Sequence, residues 1–199
     1  MADCENCGQA LACPLVCEAC GTLRAAGGSI DAFEVFGLEP RFELDAEALR
    51  KRLLKLSRRL HPDFFGDDSV QRELAERNSA ELNDAYARLS SDIARANLLV
   101  AARGGPDAES ERQMPQAFLM EVMEWNETLE EAREASDDRS ALRVEALAGE
   151  LTEARASAMA QAGRLLDSNG DPTEVRRQLN AVRYVDRALE QVEELRLGS

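Results

Sequence analysis

The sequence predicts a mainly α-helical protein. Alanine, leucine, glutamate and arginine, which favour helices, dominate its 199 residues. Only 5% of the residues are aromatic, and no long run of β-branched residues indicates a strand. The length is enough for one domain with a sizeable core or for two small ones. Breaker residues divide the chain into a cysteine-rich metal module with its linker (1–28), a helical hairpin region (29–105) and a three-helix bundle (106–199).

All five cysteines lie within the first 21 residues. Cys4 and Cys7 form one C-x-x-C-G knuckle, and Cys17 and Cys20 form another after an interval of nine residues. Four thiolates in two such pairs suit a tetrahedral site with Zn–S distances of about 2.3 Å. We expect structural zinc, which would supply much of the folding energy of so short a segment. Disulfides and rubredoxin-like iron are the alternatives, and the spacing assigns no role to Cys13.

A linker of small residues, 25–29, leads from the cysteines into the hairpin region. In that region, four leucines recur at helical spacing and form a core stripe: Leu49, Leu53, Leu56 and Leu60. Basic side chains cover the other side of the same helix: Lys51, Lys55, Arg58 and Arg59. Asp45 suits the N-cap of this helix, and Pro62 disfavours helical geometry at His61. The pattern predicts a basic helix that ends in an exposed polar corner, His61-Pro62-Asp63.

The flanking segments extend this pattern. Phe33-Glu34-Val35-Phe36-Gly37-Leu38 precedes the basic helix, and the periodic segment Val70–Leu89 after it contains Leu82-Asn83-Asp84-Ala85-Tyr86. Ile93–Ala102 predicts one more short helix. Together with His61-Pro62-Asp63-Phe64-Phe65, these residues resemble the HscB/Jac branch of the J-domain co-chaperones, over residues 30 to 196. The resemblance implies that 29–105 is a J domain, a helical hairpin with a His-Pro-Asp loop, and that Phe33–Leu38 forms its short first helix.

The resemblance also implies a function. Members of this branch are the J-type co-chaperones of iron–sulfur cluster biogenesis, and some of them carry an N-terminal cysteine module. The basic helix and the polar corner would dock on a DnaK-type (HscA-like) chaperone and stimulate its ATPase. The residues expected to make this contact are Lys51, Lys55, Arg58, Arg59, His61, Pro62 and Asp63.

Gly104-Gly105-Pro106 marks the start of the last region. There the periodicity predicts three helices, at 115–134, 137–168 and 172–196. Asn169-Gly170 would end the second helix, and Asp171-Pro172 would begin the third, with the aspartate as cap and the proline at the first helical position. Three antiparallel helices joined by short loops form a bundle.

The first helix of this bundle carries apolar residues on two sides. One stripe is enough to pack it against its neighbours: Phe118, Val122, Trp125 and Leu129. A second group points elsewhere: Leu119, Met120 and Met123, with Glu124 and Glu127 on the same side. Either the helix is sandwiched and buries both sides, or the second group forms an adaptable binding surface. Three helices leave little to cover a second side, which favours the binding surface.

The family resemblance points the same way. Phe118-Leu119-Met120-Glu121 is similar to the segment with which the family binds the iron–sulfur cluster scaffold protein (IscU-like). It implies that the scaffold contacts Leu119, Met120, Met123, Glu124, Glu127 and Tyr184. Tyr184 lies off the core stripe of the last helix and stands where the family usually has phenylalanine.

The charge restricts the classes of partner. A net charge of −14 argues against a general nucleic-acid binder and against binding to an anionic membrane. The basic helix is a local cationic surface on an acidic protein, which suits an acidic protein partner. No apolar run approaches the roughly 20 residues of a membrane span, and the first residues lack the features of a secretion signal or a transit peptide. We expect a cytoplasmic protein, or a mitochondrial matrix protein if the chain is eukaryotic and processed.

No enzymatic activity is predicted. His61 is the one histidine of the chain, and no motif places a serine or cysteine nucleophile beside it. The alternative to a co-chaperone is a redox or iron-binding protein that uses the tetracysteine module. A zinc-dependent transcription or RNA factor is opposed by the acidic charge.

Overall fold

The computed structural model describes residues 2–25, 30–135 and 137–198, so residues 26–29 of the predicted linker lie outside the described part of the chain. The regular secondary structure of the described chain is helical, apart from two isolated β-bridges in the cysteine-rich segment. It divides into two compact units, one up to Arg95 and one from Ala96 onward. The predicted domain boundaries after residues 28 and 105 stay predictions.

The helices of the described chain are α1 (Ala32–Phe36), α2 (Ala46–Leu60), a 3₁₀ helix (Pro62–Phe65), α3 (Ser69–Ser90), α4 (Asp92–Ala102), α5 (Gln116–Ala135), α6 (Asp138–Asp167) and α7 (Pro172–Gly198).

The first unit begins with the cysteine module, which we define as residues 2–24. In each knuckle the glycine amide donates to the carbonyl of the first cysteine, from Gly8 to Cys4 and from Gly21 to Cys17, both at 2.8 Å. The bridges Asp3–Ala10 and Val16–Leu23 close the two loops. These bonds give each knuckle the tight turn that two neighbouring ligands to one metal require.

Polar contacts hold the cysteine module on the helical hairpin of α2 and α3. The buried side-chain amide of Asn78 in α3 donates to the carbonyl oxygens of Leu15 and Arg24, at 2.9 and 2.8 Å. Ala12 lies against the end of α1, where a Cβ on Gly37 would come within 2.6 Å of the Ala12 oxygen. Gly37 also has a φ of +64°, so a larger residue would be both strained and obstructed.

The hairpin forms as the leucine pattern predicts. Asp45 caps α2 by accepting from the amides of Glu47 and Ala48, and α2 ends at Leu60. Three of the four stripe leucines are fully buried and Leu53 is half-buried. The core of this unit includes Phe33, Phe36, Leu49, Leu56, Leu60, Leu82 and Leu89.

In the second unit, α5, α6 and α7 form the predicted bundle, and each predicted range agrees with the observed helix within about two residues. Asn169, with a φ of +58°, ends α6, and Asp171 caps α7 by accepting from the Thr173 amide at 2.9 Å. The bundle core is a cluster of Leu129, Ala132, Val144, Leu147, Ala148, Leu151, Val185, Ala188 and Val192. Trp125 packs against this cluster, as the predicted stripe requires.

The Asn78 amide is the contact whose loss should separate the cysteine module from the hairpin. Asn78→Ala removes both hydrogen bonds; the Arg24 carbonyl loses the Asn78 donor, whereas the Leu15 carbonyl still accepts from the Arg24 amide at 3.0 Å. We therefore expect the free energy of unfolding of this unit to fall by about 2 kcal/mol. Denaturant unfolding measures the change, and hydrogen exchange of residues 11–24 should show faster opening. Asn83→Ala, an exposed asparagine of the same helix, is the matched control. Equal stability of the two variants would contradict the anchoring role.

Candidate functional site

The polar corner lies where α2 stops. His61 leaves the helix with extended geometry (φ −67°, ψ 125°), and Pro62 begins the 3₁₀ helix. The His61 Nδ1 accepts from the Asp63 amide at 3.3 Å and lies 3.5 Å from the Asp63 Oδ2. Both side chains remain largely open to solvent, with exposed fractions of 56% and 85%. The corner is therefore held by local hydrogen bonds and presents its polar atoms outward.

The corner also contains an aromatic residue that was not among the seven expected docking residues. The Phe64 ring lies edge-on to the His61 ring, with 6.1 Å between centroids. Phe64 is 72% exposed, so most of its ring is open to solvent. The corner thus offers an apolar contact beside the imidazole.

Some basic side chains of α2 form ion pairs with carboxylates and others do not. Lys51 pairs with Glu47 one turn earlier at 2.7 Å, whereas Lys55 pairs with Glu18 of the cysteine module at 2.6 Å. The same Glu18 lies 2.5 Å from the guanidinium of Arg52. Within the described chain Arg58 and Arg59 have no ion-pair partner. Arg50, near the start of α2, likewise has none in the part of the chain that the structure describes. Two of the three cations of α2 without an ion pair therefore lie next to His61.

Glu18 is the member of this network that the sequence did not indicate. A glutamate inside a C-x-x-C knuckle is ordinary, and nothing in the sequence reveals a contact with a helix more than 30 residues away. The Arg52 hydrogen bond, together with Lys55 and against the effect of partial burial, lowers the pKa of Glu18 to about 2. Glu18 is thus ionised at neutral pH and offsets part of the positive charge of α2.

The four knuckle cysteines converge on one point. The sulfur atoms of Cys4, Cys7, Cys17 and Cys20 all lie within 4.8 Å of one another. Cys4 and Cys20 are 3.7 Å apart, and Cys7 and Cys17 are 3.6 Å apart. Zn–S bonds of about 2.3 Å in a tetrahedron require sulfurs about 3.8 Å apart, so the residues fit a tetrathiolate metal site.

The pKa values of two cysteines in the module differ in the direction that their positions require. Cys20 favours the thiolate, and Cys13 favours the neutral thiol. The hydroxyl and backbone amide of Thr22 lower the pKa of Cys20 to about 5, which favours the thiolate that binds metal. Burial raises the pKa of Cys13, which is fully buried and lies outside the cluster. Cys13 therefore packs inside the module as a neutral thiol. All five cysteines are free of disulfides.

The apolar group on α5 is open to solvent. Leu119, Met120 and Met123 are 41%, 57% and 63% exposed, and Tyr184 of α7 is 40% exposed. The Phe118 ring contacts both Trp125 and Tyr184 edge-on, with 5.8 Å between centroids in each case. Phe118 thus connects the bundle core to Tyr184. We call Leu119, Met120, Met123 and Tyr184 the α5 patch. Glu124 and Glu127 lie exposed on the same helix.

The structure thus places the predicted residues in two groups. The seven residues expected to bind the chaperone lie on α2 and the corner of the first unit, and the six expected to bind the scaffold lie on α5 and α7 of the second. Among the described helices, none has the length and apolar character needed to cross a membrane.

Comparison with known proteins agrees with this fold. The family model of the HSCB C-terminal oligomerisation domain matches residues 114–193. The crystal structure of human co-chaperone protein HscB superposes with a TM-score of 0.76 at 24% identity, with 100% of both chains covered. That likeness confirms the mainly α architecture.

Two curated relatives are similar in sequence. The co-chaperone protein HscB homolog of Haemophilus influenzae is 37% identical over 111 residues, and the match covers 54% of this chain and 64% of the relative. The chain thus spans slightly less than two thirds of that relative. The HscB homolog of Bordetella petrii is 37% identical over 143 residues, which cover 71% of this chain and 81% of the relative. This chain therefore belongs to the HscB co-chaperone family.

Proposed function

We propose that this protein is a co-chaperone of iron–sulfur cluster biogenesis that brings a scaffold protein to a DnaK-type chaperone and stimulates the ATPase of that chaperone. The observation that carries the proposal is the pairing of an exposed His-Pro-Asp corner on one compact unit with an exposed apolar patch on the other. A protein with two chemically different docking surfaces can bind two partners at once.

The polar corner is the chaperone-docking surface. His61, Pro62 and Asp63 are accessible, and the unpaired Arg58 and Arg59 place positive charge beside them. Exposed cations accelerate encounter with an acidic partner and orient it more than they add affinity. Lys51 and Lys55 extend the cationic surface along α2, although each is already paired with a carboxylate.

The α5 patch is the scaffold-docking surface, with Glu124 and Glu127 at its polar margin. Leucine and methionine side chains that are half exposed in the free protein gain free energy when a partner covers them. Tyr184 keeps an aromatic ring at the patch, and its hydroxyl adds a polar tip that a phenylalanine would lack.

The cysteine module holds zinc through Cys4, Cys7, Cys17 and Cys20. A bound zinc ion supplies folding free energy to a segment that has few apolar side chains of its own. Since the module is fastened to the hairpin through Asn78 and Glu18, its folding supports the position of α2.

We expect His61→Gln to abolish stimulation of the chaperone ATPase while the protein stays folded, because the imidazole is exposed and makes only local contacts. Steady-state ATP hydrolysis with and without the variant is the measurement, and a thermal melt checks folding. Asp67→Asn, an exposed residue of the same connection, is the control and should stimulate normally. Full stimulation by His61→Gln would refute the docking role of the corner.

Replacing Leu119, Met120 and Met123 together by alanine should weaken scaffold binding a hundredfold or more. A buried apolar side chain contributes roughly 1.5–3 kcal/mol, and every 1.4 kcal/mol is about tenfold in affinity. Calorimetric titration with scaffold measures the loss. Alanine favours helix, and the Phe118–Trp125 contact is untouched, so the melting temperature should hold.

The control for the patch variant is Leu142→Ala combined with Leu197→Ala, which removes exposed leucines elsewhere in the same unit. This control should bind scaffold normally. A triple variant that melts much earlier would show that the three residues are core rather than surface. A folded triple variant with normal scaffold affinity would move the scaffold site elsewhere.

The purified protein should contain about one zinc per chain, held by four thiolates. Elemental analysis gives the stoichiometry. Cys17→Ser should lose the metal, whereas Cys13→Ala should retain it because Cys13 lies outside the cluster. Stoichiometric iron in protein isolated without oxygen would instead favour an iron-binding module.

A further inference from the structure

A cationic cleft lies beside the α5 patch in the second unit. It has a volume of about 390 Å³ and is lined on one side by Ala108, Glu109 and Arg112, and on the other by Asn180, Arg183, Tyr184 and Arg187 of α7. Tyr184 belongs both to the cleft and to the α5 patch. The two surfaces are therefore continuous.

Two buried side chains of α7 fix the shape of this cleft. Arg176 donates to the carbonyl of Pro106 at 2.9 Å, and Asn180 donates to the carbonyl of Glu111 at 2.7 Å. Both side chains are more than 90% buried. The segment that carries Arg112 is thus fastened to the same face of α7 that presents Arg183 and Arg187, since these positions recur at helical spacing.

The three arginines of the cleft form no ion pair with a carboxylate in the described chain. Residues 106–199 hold 21 acidic and 11 basic side chains, so partners are plentiful. Elsewhere in the bundle four arginines are paired with carboxylates: Arg143 with Glu131, Arg155 with Asp186, Arg177 with Glu174 and Arg196 with Glu145. The exposed Arg139 and Arg164 are not paired within the described residues, but they do not line the cleft. In the described chain Arg183 and Arg187 have no such partner, and Arg112 donates only to the backbone oxygen of Glu109.

We propose that this arginine cleft, defined by Arg112, Arg183 and Arg187, binds carboxylate side chains of the protein that covers the α5 patch. The inference rests on the proposed function and adds to it that the scaffold presents an acidic segment next to its apolar contact. Guanidinium groups hold carboxylates in paired hydrogen bonds, and a partner seated on Tyr184 must border the cleft. The partner would therefore be recognised by apolar area on α5 and by charge on α7.

The test compares two double variants with equal loss of charge. Arg183→Gln with Arg187→Gln empties the cleft of two cations, and Arg139→Gln with Arg164→Gln removes two exposed arginines of the same unit outside it. We expect the cleft variant to bind scaffold about tenfold more weakly at low salt, mainly through slower association, and the difference to shrink at high salt. The control variant should bind like the wild type, and both should melt normally.

Three other results of these binding experiments would each overturn the inference. Equal affinity of the cleft variant and the wild type, in a series where the α5 patch variant loses binding, would overturn the inference and leave the proposed function intact. Failure of the wild-type protein itself to bind scaffold would overturn both. Saturable binding of inorganic phosphate to the free protein, lost in the cleft variant, would identify a phosphate site and overturn the assignment to protein carboxylates.

Discussion

The buried amide of Asn78 decides where the cysteine module lies. The Asn78 side chain is only 1% exposed and donates hydrogen bonds to the carbonyl oxygens of Leu15 and Arg24, which flank the second knuckle. Burying an amide is costly unless its hydrogen bonds are made, so this contact tolerates only one placement of the module on α3. A module that held the hairpin by apolar contact alone could slide. The position of Glu18 follows from this placement, because the second knuckle carries it to α2.

Glu18 changes what the basic helix presents. In the sequence, Lys51, Lys55, Arg58 and Arg59 look like equivalent cations. In the structure Lys55 shares the Glu18 carboxylate with Arg52, and the Glu18 side chain is only 18% exposed. Lys51 is paired with Glu47. Partly buried pairs are screened less by salt than exposed ones, so Glu18 remains a constant part of the field of this helix. Arg58 and Arg59, next to His61 and the exposed ring of Phe64, form no ion pair within the described residues. This arrangement favours the corner, rather than the length of the helix, as the proposed docking surface.

The sequence could predict the features that depend on neighbouring residues or on the spacing of apolar residues. The leucine spacing predicted α2, and Pro62 predicted where α2 ends. Asp171-Pro172 predicted the start of α7, and the two knuckles predicted the sulfur cluster, because each signal lies within a few residues of the feature it predicts. The exposed side of α5 also followed from its period. The contacts of Glu18 and Asn78 could not be predicted, since they join residues tens of positions apart through side chains that are unremarkable in the sequence. The arginine cleft was missed for the same reason: Arg112 and Arg187 become neighbours only when the segment after α4 folds back on α7.

The two proposed docking surfaces would depend on different physical forces, and this difference would make them separable. At the corner the contributions are exposed charge, an imidazole and one ring, so ionic strength should act mainly on the rate of encounter. At the α5 patch most of the free energy comes from apolar area, which salt does not screen. In the proposed complex the arginine cleft would orient the partner. Methionine and leucine side chains adapt to many shapes, whereas paired guanidinium–carboxylate bonds admit few geometries. An adaptable apolar surface next to a fixed charged cleft can therefore bind firmly and still select one register of its partner.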